Sequence, residues 1–493
     1  MKNCLFSFVL CGNSNISVAG LTELHRIGNY NFLCDINTPF CAHYEGQYEC
    51  ALFGFATNVL TGDHEDLPKK ILQNCRSIEE VIEYEKYLGG KYIILYFSPK
   101  GCYILCDATS SIPVYYDTEG DLICSSNPQY ILNEKKYNVD PEFSHIRNSS
   151  DISQAMPFDI TQFREIKQLL PNHCLNVGKK KAFRFVNSLF PQEEVSVERA
   201  TELVSPMINN LLSYYLSQYE IYCPITSGRD SRVVLAFLMK AGAGKQCYTM
   251  KHPYHTDLSQ DIAVPKAICG ANGLHHEVVE DVDVPNEVKS VVDTLLGKGR
   301  YSDRTLQIAL TVKEYCKGAA IINGDIIGQV GKCSLHRDIP AIFATPSYFR
   351  CKLHNYSRGA KKQLRLWLKE ISDSGEMVNT FDLFSIENRM GRWAVQSGMV
   401  YSTIGQVQLN IFNSRTIIYT WTAVDRKKRK NSILHIDLIK DAYAGLLDIP
   451  FEKEESLAIK LSKANWLTFW VSSYLKYYIE KSSYKYGFHL FLH

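Results

Sequence analysis

The run CPITSGRDSRVVLAFL, Cys223 to Leu238, gathers hydroxyls, a carboxylate and two guanidinium groups within a few residues. An apolar segment ends at Thr226, Ser227 and Gly228, passes through Arg229, Asp230, Ser231 and Arg232, and leads into apolar residues with helical spacing. A helix start presents backbone N–H groups and the positive end of the peptide dipole, so small residues there let phosphate oxygens reach the backbone. Thr226 and Ser231 add hydroxyl donors, and Asp230 offers a carboxylate for a Mg²⁺ that bridges phosphates. Two readings stay open on these residues alone. The corner is a phosphate cradle, or it is a tight turn of the kind many α/β proteins make through Gly and Ser, since no G-x-x-x-x-G-K-[ST] pattern is present.

Positioning such a corner takes a strand before it and a helix behind it, and the flanking sequence predicts both. YEIYCPI reads as a strand and SRVVLAFLMKAG as a helix; KQCYTM is a second strand, DLSQDIAVPKAICGAN a helix and LHHEVVE a third strand. Strands alternating with helices predict a parallel sheet covered on both faces. From Val197, apolar residues recur at Ala200, Leu203, Val204, Met207, Leu211 and Leu212, the spacing of a helix. After about residue 295 the pattern is mostly helical, ending in the aromatic-rich NWLTFWVSSYLKYYIEKSSYKYG.

Upstream the pattern changes. From Lys91, KYIILYF, CYILCD, PVYY and LICSS are short β-branched and aromatic runs separated by Pro, Gly, Asp and Ser, which predicts an antiparallel meander. Just before it, Ser77 and Glu80 have the spacing of a capping box opening an amphipathic helix. Residues 1–188 are therefore read as an α+β domain built on antiparallel sheets, 197–450 as an α/β domain with a parallel sheet, and 451–493 as a helical extension. Pro191 and the acidic cluster that follows mark the first boundary.

The chain has 493 residues, 45% of them hydrophobic, enough for two or three cores. Lys and Arg total 54 against 52 Asp and Glu, so the net charge of +2 sets up no field that draws in nucleic acid or acidic lipid. The 16 cysteines are scattered singly without a CxxC pair, a usage that fits buried thiols in a reducing compartment, and a cytoplasmic location is expected. MKNCLFSFVLCGNS carries one charged residue and has Leu10 before Cys11, flanks that suit a first core strand better than a signal peptide or a lipid-anchored cysteine. No stretch approaches the roughly 18 uninterrupted apolar residues of a membrane span.

The loop TSGRDSR resembles the S-G-G-x-D-S pyrophosphate-binding loop of the asparagine-synthetase-like amide ligases, which belong to the PP-loop ATP pyrophosphatases. Thr226, Ser227, Gly228, Asp230 and Ser231 fall on the motif positions. YTM, ending in Met250, then Asp257, Ala263 and Ala267, then GLHHEVVE are similar to that family's second strand, following helix and third strand. INGDIIGQVGK, with Gly324 and Asp325, sits where the family carries G-E-G-x-D-E. LGGKYIILYF and CDATSSIPVYY resemble the class II glutamine-amidotransferase half, whose fold is Ntn-hydrolase-like, and REIKQLLPNHCLNV is similar to the segment that ends it. The resemblance implies ATP and Mg²⁺ as cofactors, a small carboxylate with ammonia or an amine as substrates, and AMP and pyrophosphate as products. It further implies ATP or pyrophosphate contacts from Thr226, Ser227, Gly228, Arg229, Asp230, Ser231, Met250 and Gly324. Asp230 and Asp325 become the metal ligands, and Asp230, Ser231 and Arg232 the catalytic residues.

Two positions depart from the family pattern. A working amidotransferase of this type has its nucleophilic cysteine at position 2, freed once Met1 is removed; here position 2 is Lys2 and the nearest thiol is Cys4, inside the chain. No α-amine can then serve that thiol as base, so the first domain is expected to lack glutaminase activity. In GDIIGQ, Asp325 keeps the first acidic position, but Gly328 and Gln329 replace the second acidic pair, leaving fewer charged ligands for a cation. Arg229 and Arg232 could take over charge neutralisation, because guanidinium groups pair bidentately with phosphate, or could make ordinary ion pairs.

Other clusters carry weaker signals. Cys247, His252, His255, Cys269, His275 and His276 fit no common zinc spacing, and no zinc site is expected. DRKKRKN, from Asp425, is the only dense basic run and reads as a solvated face. Arg389 and Arg392 lie on a helical pattern with Phe384 and Trp393, and the choice there is between structural ion pairs and a carboxylate-binding role. Lys453 is the one lysine placed where the resemblance would want a cation near the reacting carbonyl. A catalytically lapsed scaffold of the same fold and a PP-loop nucleotide- or base-modifying enzyme are the alternative functions.

Overall fold

The computed structural model describes residues 4–12, 18, 20–119, 123–134, 136–142, 156–185, 193–251, 259–298, 300–353, 355, 357–375, 377–451 and 465–486. Lys2, the 188 boundary, Pro191, His252, His255, Asp257 and Lys453 lie outside these residues. The first part contains two six-stranded antiparallel sheets. One has β1 (Phe8–Cys11) between β9 (Ile123–Ser125) and β3 (Tyr30–Cys34), with β2 (Glu23–Ile27) at one edge and β8 (Tyr115–Asp117) and β10 (Ile166–Gln168) at the other. The other runs β4 (Phe40–Glu45), β5 (Tyr48–Asn58), β6 (Leu88–Ser98), β7 (Gly101–Cys106), β11 (His173–Asn176), β12 (Lys181–Arg184).

The period of two along each strand decides what faces what. Phe53 of β5 and Ile93 and Leu95 of β6 point into the core between the sheets, where Phe8 meets Phe32 and Phe53 at ring-centroid distances of 5.3 and 6.0 Å. The alternate residues Leu52, Tyr92, Ile94 and Tyr96 point the other way and pack beneath helices Leu67–Asn74 and Ile78–Glu85. The second of these opens with the expected capping box, Ser77 and Glu80 each taking the other's backbone N–H. The expected meander is divided: β6 and β7 form a hairpin in one sheet, β8 and β9 a hairpin in the other, and Asp107–Val114 carries the chain across.

Helix Val197–Gln218 then leads into a five-stranded parallel sheet. Its order is β15 (His275–Val279), β14 (Gln246–Met250), β13 (Ile221–Pro224), β16 (Ala320–Ile322), β17 (Gln408–Leu409). The first three strands are those read from the sequence; β16 and β17, of three and two residues, are additions to it. Neighbouring residues of β14 divide between two cores, Cys247 toward helix Arg229–Lys240 and Tyr248 toward helix Asp303–Cys316, so the sheet is buried on both faces. The final helix, Trp466–Tyr486, packs on the body through Trp470 against Phe343, with a further hydrogen bond from Lys352 Nζ to Ser473 Oγ at 2.9 Å. Among the described residues no helix is long and apolar enough to cross a membrane.

Buried charge pairs join the two parts. Arg184 of β12 forms a bidentate pair with Glu387, at 2.6 and 2.7 Å, and Trp367 Nε1 donates to the same carboxylate at 2.7 Å. Arg415 meets Glu85, which also accepts from the Tyr92 hydroxyl at 2.6 Å. The basic run is only partly a solvated face. Arg429 within it is fully buried, bonded to Asp382 at 2.7 Å and to the carbonyls of Val330 at 2.8 Å and Val424 at 2.9 Å. None of the 16 cysteines is in a disulfide, and all but Cys41 are buried.

Removing one partner of such a pair strands a charge in the interior. Arg429→Leu is expected to cost about 3–5 kcal/mol in chemical denaturation, and adding Asp382→Leu should recover most of it. An additive double variant would show that the two side chains do not act as a pair.

Candidate functional site

The chain leaves β13, turns through Ile225–Gly228 and enters helix Arg229–Lys240 with Gly228 as the N-terminal cap residue. β14 lies on one side of β13 and β16 on the other, so the corner sits where the strand order turns back, at the carboxyl end of a parallel sheet. Crevices at such points are the usual ligand sites of open α/β sheets. The loop after β16, which carries Gly324 and Asp325, arrives beside the same corner.

The corner is internally bonded. Ser231 Oγ accepts the Thr226 N–H at 3.2 Å and lies 3.3 Å from the Thr226 hydroxyl, which in turn accepts the Gly228 N–H at 3.2 Å. Ser227 is buried, and both its N–H, at 3.1 Å, and its hydroxyl donate to Asp261. Thr226 remains exposed at the mouth. Met250 ends β14 alongside, where Thr249 Oγ1 donates to the Ile225 carbonyl at 2.8 Å and lies 2.9 Å from His276 Nε2.

Asp230 points toward the β16 loop. Its Oδ1 lies 2.9 Å from Nε2 of the fully buried His435, an ion-pair distance off the line of a ring N–H, so neither atom has a formal hydrogen bond. Burial pushes the Asp230 carboxyl up, but His435, Lys332 and Arg229 outweigh it and hold the group below the usual carboxylate range. Two glycines make room. A Cβ at Gly324 would stand 3.0 Å from the Asp230 carbonyl oxygen, and one at Gly328 only 2.7 Å from Asp230 Oδ2. The position where the resemblance expected an acid is thus filled by a residue whose lack of a side chain lets Asp230 sit where it does.

Asp325 accepts from Asn410 Nδ2 at 2.7 Å and from the Ile326 N–H at 3.1 Å. Burial, aided by the charge of Asp230, raises its carboxyl to about 6 in spite of these donors. Asp230 and Asp325 are thus near enough to feel one another. Among the described residues no group of three or more His, Cys, Asp or Glu is placed to hold a metal ion. Asp230 and Asp325 are the two carboxylates that could hold a Mg²⁺, which is commonly bound by one or two carboxylates with phosphate oxygens completing the shell.

The two arginines do not both face the mouth. Arg232 is fully buried and donates to the carbonyls of Leu446 at 3.2 Å, Ile449 at 2.5 Å and Pro450 at 2.9 Å, with its guanidinium 4.2 Å from the Phe451 ring. That corrects its expected catalytic placement: three carbonyls and a ring occupy the group, and it fastens residues 446–451 behind the loop. Arg229 lies over the same ring at 4.9 Å and stays beside Asp230. Cys4 is buried with its thiol toward the Thr403 carbonyl, and burial together with Asp35 raises its pKa, the reverse of an activated nucleophile. His275 faces Glu277 at 3.4 Å and His276 faces Thr249, so these two neighbours do not converge.

His435, Asn410 and Asp261 are site residues that spacing alone did not single out. A further one is Lys91. With Gly90, Thr109 and Ser111 it forms one wall of a cleft of about 460 Å³ between the two parts of the chain; Asn323, Asp325 and Asn410 line the other. The Lys91 ammonium lies 4.1 Å from the Phe6 ring, is 6% exposed, and has no ion pair among the described residues. Burial lowers its pKa from 10.5 to about 8, Asp107 opposing.

A lysine whose folded pKa lies below its unfolded one costs stability when charged. The cost is complete below the folded value and fades as pH rises toward the unfolded one. Lys91→Met is therefore expected to stabilise the protein at pH 7 by about 2 kcal/mol, less than the full shift implies because the contact with Phe6 is lost. The gain should shrink between pH 8 and pH 10.5 in denaturant titrations. A destabilised variant at pH 7 would show the lysine to be paired. No protein-family model matches the chain, and no curated protein matches it.

Proposed function

We propose that the chain is an ATP-dependent, AMP- and pyrophosphate-forming amide ligase of the asparagine-synthetase-like kind, without glutaminase activity. The observation that carries the reading is the corner after β13, a small-residue strand-to-helix turn at the switch point of a parallel sheet, with Asp230 and Asp325 beside it. Two facing antiparallel sheets before it support an Ntn-hydrolase-like first part, and the buried, protonated Cys4 supports its lack of chemistry.

On this reading the pyrophosphoryl end of ATP displaces the hydroxyl-to-amide bonds inside the corner and takes those N–H groups itself. Thr226, Ser227, Gly228 and Ser231 supply donors, Arg229 a neighbouring positive charge, and Met250 and Gly324 flank the nucleotide. Asp230 and Asp325 would hold a Mg²⁺, which would supply charge neutralisation for the departing pyrophosphate. A substrate carboxylate oxygen attacks the α-phosphorus; the bond to the β-phosphoryl oxygen breaks and pyrophosphate leaves, giving an acyl-adenylate. Ammonia or a substrate amine then attacks the acyl carbon, AMP departs, and the amine proton passes to solvent. Arg232 acts at one remove by holding residues 446–451 behind the corner.

One observation favours a lapsed enzyme of the same fold. Asp230 already has the His435 ring beside it, and the corner's donors already have partners within the chain. The two readings part in one experiment. ATP–pyrophosphate exchange, screened over a panel of carboxylates, is expected to appear with at least one acid and to fall at least roughly a hundredfold in Asp230→Ala. ATP binding by calorimetry without exchange for any acid would establish the lapsed form. Absence of both would remove the nucleotide reading altogether.

A further inference from the structure

A second cavity lies on the other side of the helical segment that borders the cleft. Residues Ser385–Ala394 form a π-helix that continues into helix Val395–Ile404. Met390, Ala394 and Gly398 line the cleft with Asp325, whereas Arg392, Gln396 and Met399 line a separate pocket. Its walls are apolar: Pro128, Met156, Phe163, Leu296 and Met399. Two arginines face into it, Arg300 and Arg392.

Among the described residues neither cation meets an anion. Arg392 is 2% exposed; its Nη groups reach only neutral oxygens, Gln168 Oε1 and the Ile160 carbonyl at 2.9 Å, and its Nε has no hydrogen-bond partner. The nearest acid acting on it, Asp159, is engaged by Lys167 at 3.6 Å and by Gln363 at 2.7 Å. Arg300 lies against the Phe163 ring at 5.4 Å and makes no side-chain hydrogen bond or ion pair among the described residues. Burial lowers the pKa of both guanidinium groups. Arg415 and Arg429, as buried as Arg392, each meet a carboxylate. An interior cation without a counter-charge is a standing cost, removed when an anion arrives.

We propose that this pocket is a binding site for a small carboxylate with an apolar body. The carboxylate is held by Arg300 and Arg392, and the alkyl or aryl portion lies among Met156, Phe163, Leu296 and Met399. A planar two-oxygen anion matches guanidinium geometry. An apolar lining with a few convergent polar groups is the common form of small-molecule sites. Gln396 and the Tyr115 hydroxyl, near each other at the same wall, offer neutral bonds that fix orientation. The site is distinct from the corner after β13 and is independent of whether that corner takes a nucleotide.

The test is calorimetric titration of the full chain, in the absence of nucleotide, with acetate, octanoate and 3-phenylpropionate, and with 3-phenylpropionamide as the uncharged control. Saturable one-to-one binding is expected for octanoate or 3-phenylpropionate, at least roughly tenfold tighter than for acetate or the amide. Arg300→Gln, at a partly exposed position, should weaken that binding about tenfold while leaving the melting temperature of the unliganded protein near its original value. Met399→Trp, which fills the pocket, should abolish it. The proposal is overturned if no acid saturates by about 10 mM, if acid and amide bind alike, or if Arg300→Gln binds as the unaltered protein does.

Discussion

The contact between the antiparallel part and the parallel-sheet part is the constraint on which the other features rest. It is made with buried charge: Arg184 with Glu387, Arg415 with Glu85, and the amide of Asn413 with Asp107 and the Gly90 carbonyl. Ion pairs of this kind add little net stability over apolar packing but tolerate very little displacement, because a small shift leaves a charge dry and alone. They therefore fix one relative placement of the two parts. Both cavities described above have walls from each part and would not exist in another placement.

At the corner after β13 the same economy is seen on a smaller scale. Hydroxyls of Thr226 and Ser231, with the Asp261 carboxylate, stand in for whatever the backbone donors would otherwise bind, and the His435 ring lies beside Asp230. Buried polar groups need partners, and these are supplied from within the chain. The arrangement explains how an anion-seeking turn and two neighbouring carboxylates can persist in one folded chain. It also sets the energetic threshold a ligand has to exceed, since each bond it makes to the corner replaces one already present.

Much of the scaffold was legible because its signals are local. The 223–238 run reads as strand, corner and helix from its own composition; the capping box at Ser77 and the helix from Val197 are equally self-contained. What escaped depends on partners far along the chain. β16 and β17 are too short to show a period, and become strands only because β13 offers β16 an edge and β16 in turn offers one to β17. Arg429 looks like one more cation in a basic run until Asp382 arrives beneath it, and Arg232 looks like a phosphate ligand until residues 446–450 close over it. His435 sits in an ordinary apolar helix, SILHIDL, and acquires meaning only where that helix crosses Asp230. The paired hairpins β6–β7 and β8–β9 were visible, but their division between two sheets was not, because Ala108 to Val114 has no property that announces a crossing.

The π-helical stretch from Ser385 to Ala394 has an effect of its own on how this chain can vary. An i to i+5 helix holds one residue more per turn than its α-helical counterpart, and here that surplus aligns Met390 with one cavity and Arg392 with the other. Point substitutions leave this phase intact. Loss of the surplus residue would let the segment revert to i to i+4 bonding and change which of its side chains face each cavity. Descendants of this chain can thus change the letters of that segment far more freely than they can change its length.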